Sequence, residues 1–132
     1  MKLKLALTLL ISATLLTANA QLITADKEKV KGGELTIQPI THATLALAYK
    51  GKTIYIDPTG GADAFKGLAA PDVILITDIH GDHFDLKTIE VINTAKTTFI
   101  APQEVAAKLP ASIDKQKVVI LNNGDKNTQG DV

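Results

Sequence analysis

The sequence predicts an α/β domain built on a mixed sheet, and three observations carry that reading. Residues 42–57 are strand-like on either side of Lys50-Gly51-Lys52, the pattern of a hairpin. Val73-Ile74-Leu75-Ile76 is apolar at every position, which suits a strand buried on both faces. Beyond it, helix-like and strand-like stretches alternate, as they do in α/β chains.

The elements follow in order. Residues 1–20, MKLKLALTLLISATLLTANA, have the layout of a secretory signal peptide. Lys2 and Lys4 form a basic start, Leu5 to Leu16 an apolar core, and Ala18-Asn19-Ala20 a small-x-small cleavage site before Gln21. The apolar core falls short of the roughly 20 residues that span a bilayer. No Cys follows it for lipid attachment, so no membrane anchor is expected after cleavage and the mature chain is expected in the periplasm or outside the cell. Residues 21–33 read as a polar leader broken by Gly32-Gly33, and residues 34–132 suffice for one small domain.

Within that domain, 34–40 and 42–49 read as strands, with Ala43, Leu45, Leu47 and Tyr49 on one face of the second. Thr53–Asp57 is the hairpin partner, and Pro58 takes the chain out of the sheet. Residues 59–71 form a small-residue loop, and strand 73–76 follows. Asp85 is placed to cap a helix through about Ala95, with Leu86, Ile89 and Ile92 on one stripe. Residues 97–101 read as a strand, 102–109 as a short helix opened by Pro102, and 117–121 as a last strand before the turn Asn122–Asp125.

Composition removes several function classes. All 14 basic residues are Lys. Two lie within residues 1–20, which leaves 12 against 14 acidic residues, a net of −2. That balance provides no basic nucleic-acid surface, and the few aromatic residues provide no base-stacking platform. With no Cys there are no disulfides and no thiolate chemistry. Ser112, the lone Ser after residue 20, lies in no nucleophile-elbow pattern. Thr59-Gly60-Gly61 reads as a turn, because no helix-opening Gly-Lys-Ser/Thr follows it.

The segment that carries chemistry is Thr77-Asp78-Ile79-His80-Gly81-Asp82-His83. Four metal-ligand types, Asp78, His80, Asp82 and His83, fall within six residues at the carboxyl end of the apolar strand, where α/β sheets place their sites. Asp78 and His80 are two apart, so in extended backbone they point the same way and can share one metal. Gly81 permits a sharp change of direction, after which Asp82 and His83 can face a second metal. Imidazole nitrogen and carboxylate oxygen suit Zn²⁺, and also Fe or Mn.

This segment resembles the Thr-His-x-His-x-Asp-His signature of the metallo-β-lactamase superfamily. Thr41-His42-Ala43-Thr44-Leu45, Ile56-Asp57-Pro58 and Asp72–Thr77 are similar to the flanking pieces of the branch that includes ascorbate-6-phosphate lactonase, and the likeness extends over about residues 34–130. The resemblance implies the N-terminal half of an αββα sandwich, a mixed sheet with helices on one face. It implies a metal-dependent hydrolase in which a metal-bound hydroxide cleaves an ester, lactone or phosphoester bond of a small-molecule substrate. Asp78 and His80 would hold one metal and Asp82 and His83 the other, with Asp82 also orienting the hydroxide. His42 and Asp57 would lie close enough to support those ligands; the alternative is that His42 packs at a strand start and Asp57 caps a turn. Zn²⁺ is the expected metal, one or two ions in the whole protein, with Fe or Mn as alternatives.

The sequence departs from the family pattern in two ways. Asp78 stands where the family usually has His, which moves the first site away from Zn²⁺ preference. No His follows His83, so the family's later ligands are missing from this sequence. The expectation is therefore a fragment of a longer hydrolase, the alternative being a non-catalytic exported metal-binding or interaction half-domain. A lone first half would expose an apolar sheet face, with Ile54, Ile56, Ile74 and Ile76 as candidates for it, and so a route to self-association.

Overall fold

The computed structural model describes residues 22–92 and 95–130. The signal peptide expected at residues 1–20 falls outside the described residues. Among them, seven strands form one sheet in sequential order: β1 (Asp26–Val30), β2 (Gly33–Thr41), β3 (Thr44–Tyr49), β4 (Lys52–Ile56), β5 (Val73–Leu75), β6 (Thr98–Ala101) and β7 (Val118–Ile120). β1 to β4 pair antiparallel, and β4 to β7 pair parallel. The expected mixed sheet is therefore present, and its two halves meet at β4.

β1 lies within the stretch that reads as a polar leader. Its residues, DKEKV, are all exposed, and Lys27 pairs with Glu34 of β2 across 2.9 Å. A charged, fully solvated edge strand has no apolar period to betray it, and its charges discourage further pairing at that edge.

The helices are short. α1 (Leu86–Val91) is capped by Asp85, whose carboxylate accepts from the Lys87 amide, and it ends when Ile92 turns extended at ψ 150. The expected helix is longer. Four β-branched residues among 88–92 weaken its continuation. Leu86, placed on the buried stripe by periodicity, is 40% exposed, whereas Ile89 and Ile92 are buried. α2 (Gln103–Ala106) is capped by Pro102 and tightens into i→i−3 bonds from Lys108 and Leu109 before Pro110.

Register decides which residues form the core. Ala46, Tyr55, Ile74 and Phe99 line up across β3, β4, β5 and β6 and so share a face. They pack with Ile89 and Ile92, Val105 of α2, and Phe65 of a 3₁₀ turn at Ala62–Phe65. Tyr55 stacks on Phe65 with ring centroids 4.6 Å apart, and its hydroxyl donates to Ala69 O (2.7 Å). Each such side chain contributes about 1.5–3 kcal/mol by leaving water.

The opposite face carries Leu45, Leu47, Ile54, Ile56 and Leu75, all half-buried. Ile74 and Ile76, expected on the open face with Ile54 and Ile56, are instead fully buried under the helices. The pairing Tyr55↔Ile74 is the reason: Ile54 sits opposite Val73, so Ile74 belongs to the other side of the pleat. For the same reason it is Thr44 and Ala46 of β3 that face the helices, with Leu45 and Leu47 on the open side.

Candidate metal centre

Sheet topology gathers the site. β4 and β5 run parallel, and β3 runs against β4, so the carboxyl ends of β4 and β5 share an edge with the β2–β3 turn. Three segments meet there: the turn at His42-Ala43, Asp57 just beyond β4, and the loop 77–83 beyond β5. The loop is pinned from below by Phe84, which is buried, and by Ile79, which packs against the core. His83 N and Phe84 N both donate to His80 O (3.0 and 2.8 Å), closing a helical turn that turns His80 outward.

Asp57 lies beneath this loop and is 2% exposed. Its Oδ1 accepts from Thr77 N (2.7 Å), and its Oδ2 accepts from Thr77 Oγ1 (2.6 Å) and His83 Nδ1 (2.9 Å). Burying a carboxylate is costly unless it is paired and hydrogen-bonded, and these three donors meet that need. Its backbone has φ 45, a left-handed conformation held by Asp57 N donating to Leu75 O (2.9 Å) and by Thr44 Oγ1 donating to Asp57 O (2.6 Å). Asp57 is thus tied directly to the loop. Thr77, present in the motif but given no role by the sequence, supplies two of the ties.

His83 consequently has a defined orientation. With Nδ1–H directed at Asp57, the neutral ring carries its lone pair on Nε2. That nitrogen lies 3.7 Å from Asp82 Oδ2. Two ligand atoms on one tetrahedral zinc, with bonds of about 2.0–2.1 Å, are roughly 3.3 Å apart, so this pair is close to a shared cation position. The hydrogen bond that His83 donates to Asp57 raises the His83 pKa above its ordinary value, and attraction to Asp57, Asp82 and Asp78 adds to it.

Asp78 and His80 are drawn together differently from expectation. They lie side by side, but Asp78 Oδ1 accepts from His80 N (2.8 Å) and also bonds His80 Nδ1, so the pair is closed on itself. The His80 amide holds the Asp78 carboxyl below its usual value. Asp82 is likewise lowered, first by its own backbone amide and then by a hydrogen bond with His42. His42, from the β2–β3 turn, places Nε2 2.9 Å from Asp82 Oδ2. Among the described residues no group of three or more His, Asp or Glu side chains is gathered closely enough to hold a metal ion. Donor chemistry fits a metal at Asp82 and His83, backed by Asp57, while Asp78 and His80 are engaged with each other.

Comparison with known proteins places this geometry in a family. Residues 36–132 match the model described as the beta-lactamase superfamily domain. The chain belongs to the metallo-β-lactamase superfamily. Within that superfamily it is similar to a UPF0173 metal-dependent hydrolase of Lysinibacillus sphaericus, 39% identical over 69 residues, which take in 49% of this chain and 30% of the relative. A UPF0173 metal-dependent hydrolase from a Geobacillus species is 36% identical over 72 residues, 52% of this chain and 31% of that one. Among solved structures, a protein from Parabacteroides distasonis described as a metal-dependent hydrolase superposes with a TM-score of 0.65 at 34% identity, over 79% of this chain and 45% of the other. Igni18, a metallo hydrolase from Ignicoccus hospitalis, shares the fold with a TM-score of 0.56 at 20% identity, over 74% of this chain and 43% of that one. The chain thus spans about a third of the curated relatives it matches and under half of each solved structure.

Proposed function

We propose that this chain carries the metal-binding loop of a metal-dependent hydrolase that cleaves an ester, lactone or phosphoester bond in a small molecule. The observation that carries the reading is the line Asp57–His83–Asp82: a buried carboxylate behind an imidazole whose far nitrogen faces a second carboxylate. A carboxylate behind a histidine fixes the ring's tautomer and orientation and raises its basicity, which is the usual support for a metal-ligating histidine. The names of the similar proteins, each a metal-dependent or metallo hydrolase, support the same reading.

In this proposal Asp82 and His83 hold the cation, while Asp78 and His80 are engaged with each other. A bound Zn²⁺, Fe or Mn would supply Lewis acidity and an acidified water at neutral pH. The protein's own part is positional. Asp57 fixes the His83 ring, Thr77 fixes Asp57, and Asp82 would orient a water held beside the cation. The test is hydrolysis of p-nitrophenyl esters and bis-p-nitrophenyl phosphate by the Zn²⁺- and Mn²⁺-loaded chain, compared with His83→Ala. Turnover lost in the variant supports the proposal, and equal rates in both would sink it.

A second reading has an observation of its own. The described residues gather no three-donor group, which favours a chain that binds a cation weakly and does not turn substrate over. Cation binding without hydrolysis in the same assay separates this reading from the first.

A further inference from the structure

His42 lies 40 residues before Asp82 and outside the metal-loop signature, yet its Nε2 donates to Asp82 Oδ2 at 2.9 Å. Its place in the chain is conformationally unfavourable. It is the first residue of the two-residue turn between Thr41 and Thr44, which pair across it, and its φ is 50. Hairpin turns favour glycine where φ is positive, although His and Asn tolerate it better than most residues. Burial does not explain the residue either, since its side chain is 65% exposed.

Asp82, by contrast, has few ties within its own loop, its own backbone amide and His83. Its side chain is 49% exposed, and the preceding Gly81 has no atom within 4 Å of where a Cβ would stand. The side-chain partners that define its direction are His42 on one side and His83, at 3.7 Å, on the other. The two imidazoles stand nearly perpendicular, at 82° with centroids 6.5 Å apart, and the carboxylate oxygen lies within reach of both.

We infer that His42 is a positioning residue: it reaches from the β2–β3 turn to hold the Asp82 carboxylate against His83, so that the two present a cation position together. The inference rests on the reading of residues 77–83 as a metal loop, and it adds a support from a different part of the sheet. Supports of this kind typically change metal affinity by about 10–100-fold when lost.

The experiment compares the full chain with His42→Asn and His42→Gln. Asn tolerates the positive φ but is one bond too short to reach Asp82, whereas the Gln amide has the reach of the histidine Nε2. Two readouts are taken, the Asp82 carboxyl ¹³C shift of the metal-free protein and Co²⁺ affinity from its visible absorption. His42→Asn is expected to move the carboxyl shift and to weaken Co²⁺ by at least about tenfold, and His42→Gln is expected to restore both. An unchanged shift and affinity in His42→Asn, or a His42→Gln variant no better than His42→Asn, overturns the inference. Absence of Co²⁺ binding by the wild-type chain counts against the metal-loop reading instead, and the carboxyl shifts of the metal-free proteins still decide the His42–Asp82 contact.

Discussion

Asp57 and His83, 26 residues apart, are joined by a 2.9 Å hydrogen bond from His83 Nδ1 to Asp57 Oδ2. One partner is almost wholly buried, and the other stands at the surface of the loop, with its side chain 28% exposed. The bond links the end of β4 to the loop that follows β5, and it directs the free nitrogen of His83 at Asp82.

Removing the buried partner should be expensive. Asp57→Ala leaves Thr77 N, Thr77 Oγ1 and His83 Nδ1 facing an empty place, and each orphaned donor costs about 1–3 kcal/mol. A loss of roughly 3–5 kcal/mol is expected from urea unfolding, as for breaking a buried, paired charge. Asp57→Asn, which keeps shape and tolerates the positive φ, should cost less. A loss under about 1 kcal/mol in Asp57→Ala would show that these bonds do not hold the loop.

The metal-free chain should also depend on pH in a defined direction. The hydrogen bond to Asp57 raises the His83 pKa above 6.5 in the folded state. The folded protein therefore binds that proton more tightly than the unfolded one. The resulting stability is fully present below pH 6.5 and is lost as pH rises through the folded value. Asp78 and Asp82 have the opposite sign. Their carboxyls are lowered from 3.8, so their contribution is present above that value and lost as pH falls through the folded ones. Titration of the His83 ring protons by NMR should give a value above 6.5, and Asp57→Asn should bring it down. A midpoint for His83 unchanged in Asp57→Asn would refute the assigned cause.

Adjacent residues of β5 should respond unequally to truncation. Ile74 is fully buried among Tyr55, Phe99 and Ile89, so Ile74→Ala is expected to cost about 2–5 kcal/mol. Leu75, half-buried on the open face, should lose clearly less on the same change. Equal losses in denaturant unfolding would contradict the Tyr55↔Ile74 register.

Much of this was legible in the residues, and the failures have identifiable causes. The β3–β4 hairpin announced itself through Lys50-Gly51-Lys52, and β5 through four apolar residues in a row. That same uniformity hid the orientation of β5. When Ile74 and Leu75 are both apolar, a period of two cannot say which faces the helices, and only pairing with β4 decides it. β1 was invisible because a solvated edge strand of charges has no apolar alternation. At the site, the cluster of ligand types was plain from spacing, whereas the bonds His83–Asp57 and Asp82–His42 span 26 and 40 residues and arise only from the arrangement of the sheet. The closure of Asp78 on His80 reflects a local competition that spacing does not reveal, since an Asp readily accepts from the amide two residues ahead.

The most direct test of the metal centre is calorimetric titration of Zn²⁺ and Mn²⁺ into the metal-free chain, alongside His80→Ala, His83→Ala and Asp82→Asn. Weak binding close to one cation per chain is expected, abolished by His83→Ala or Asp82→Asn and reduced less by His80→Ala, because His80 is engaged with Asp78. Binding that persists undiminished in His83→Ala and Asp82→Asn, or no binding in the unaltered chain, would contradict the assignment of residues 77–83 as a metal loop.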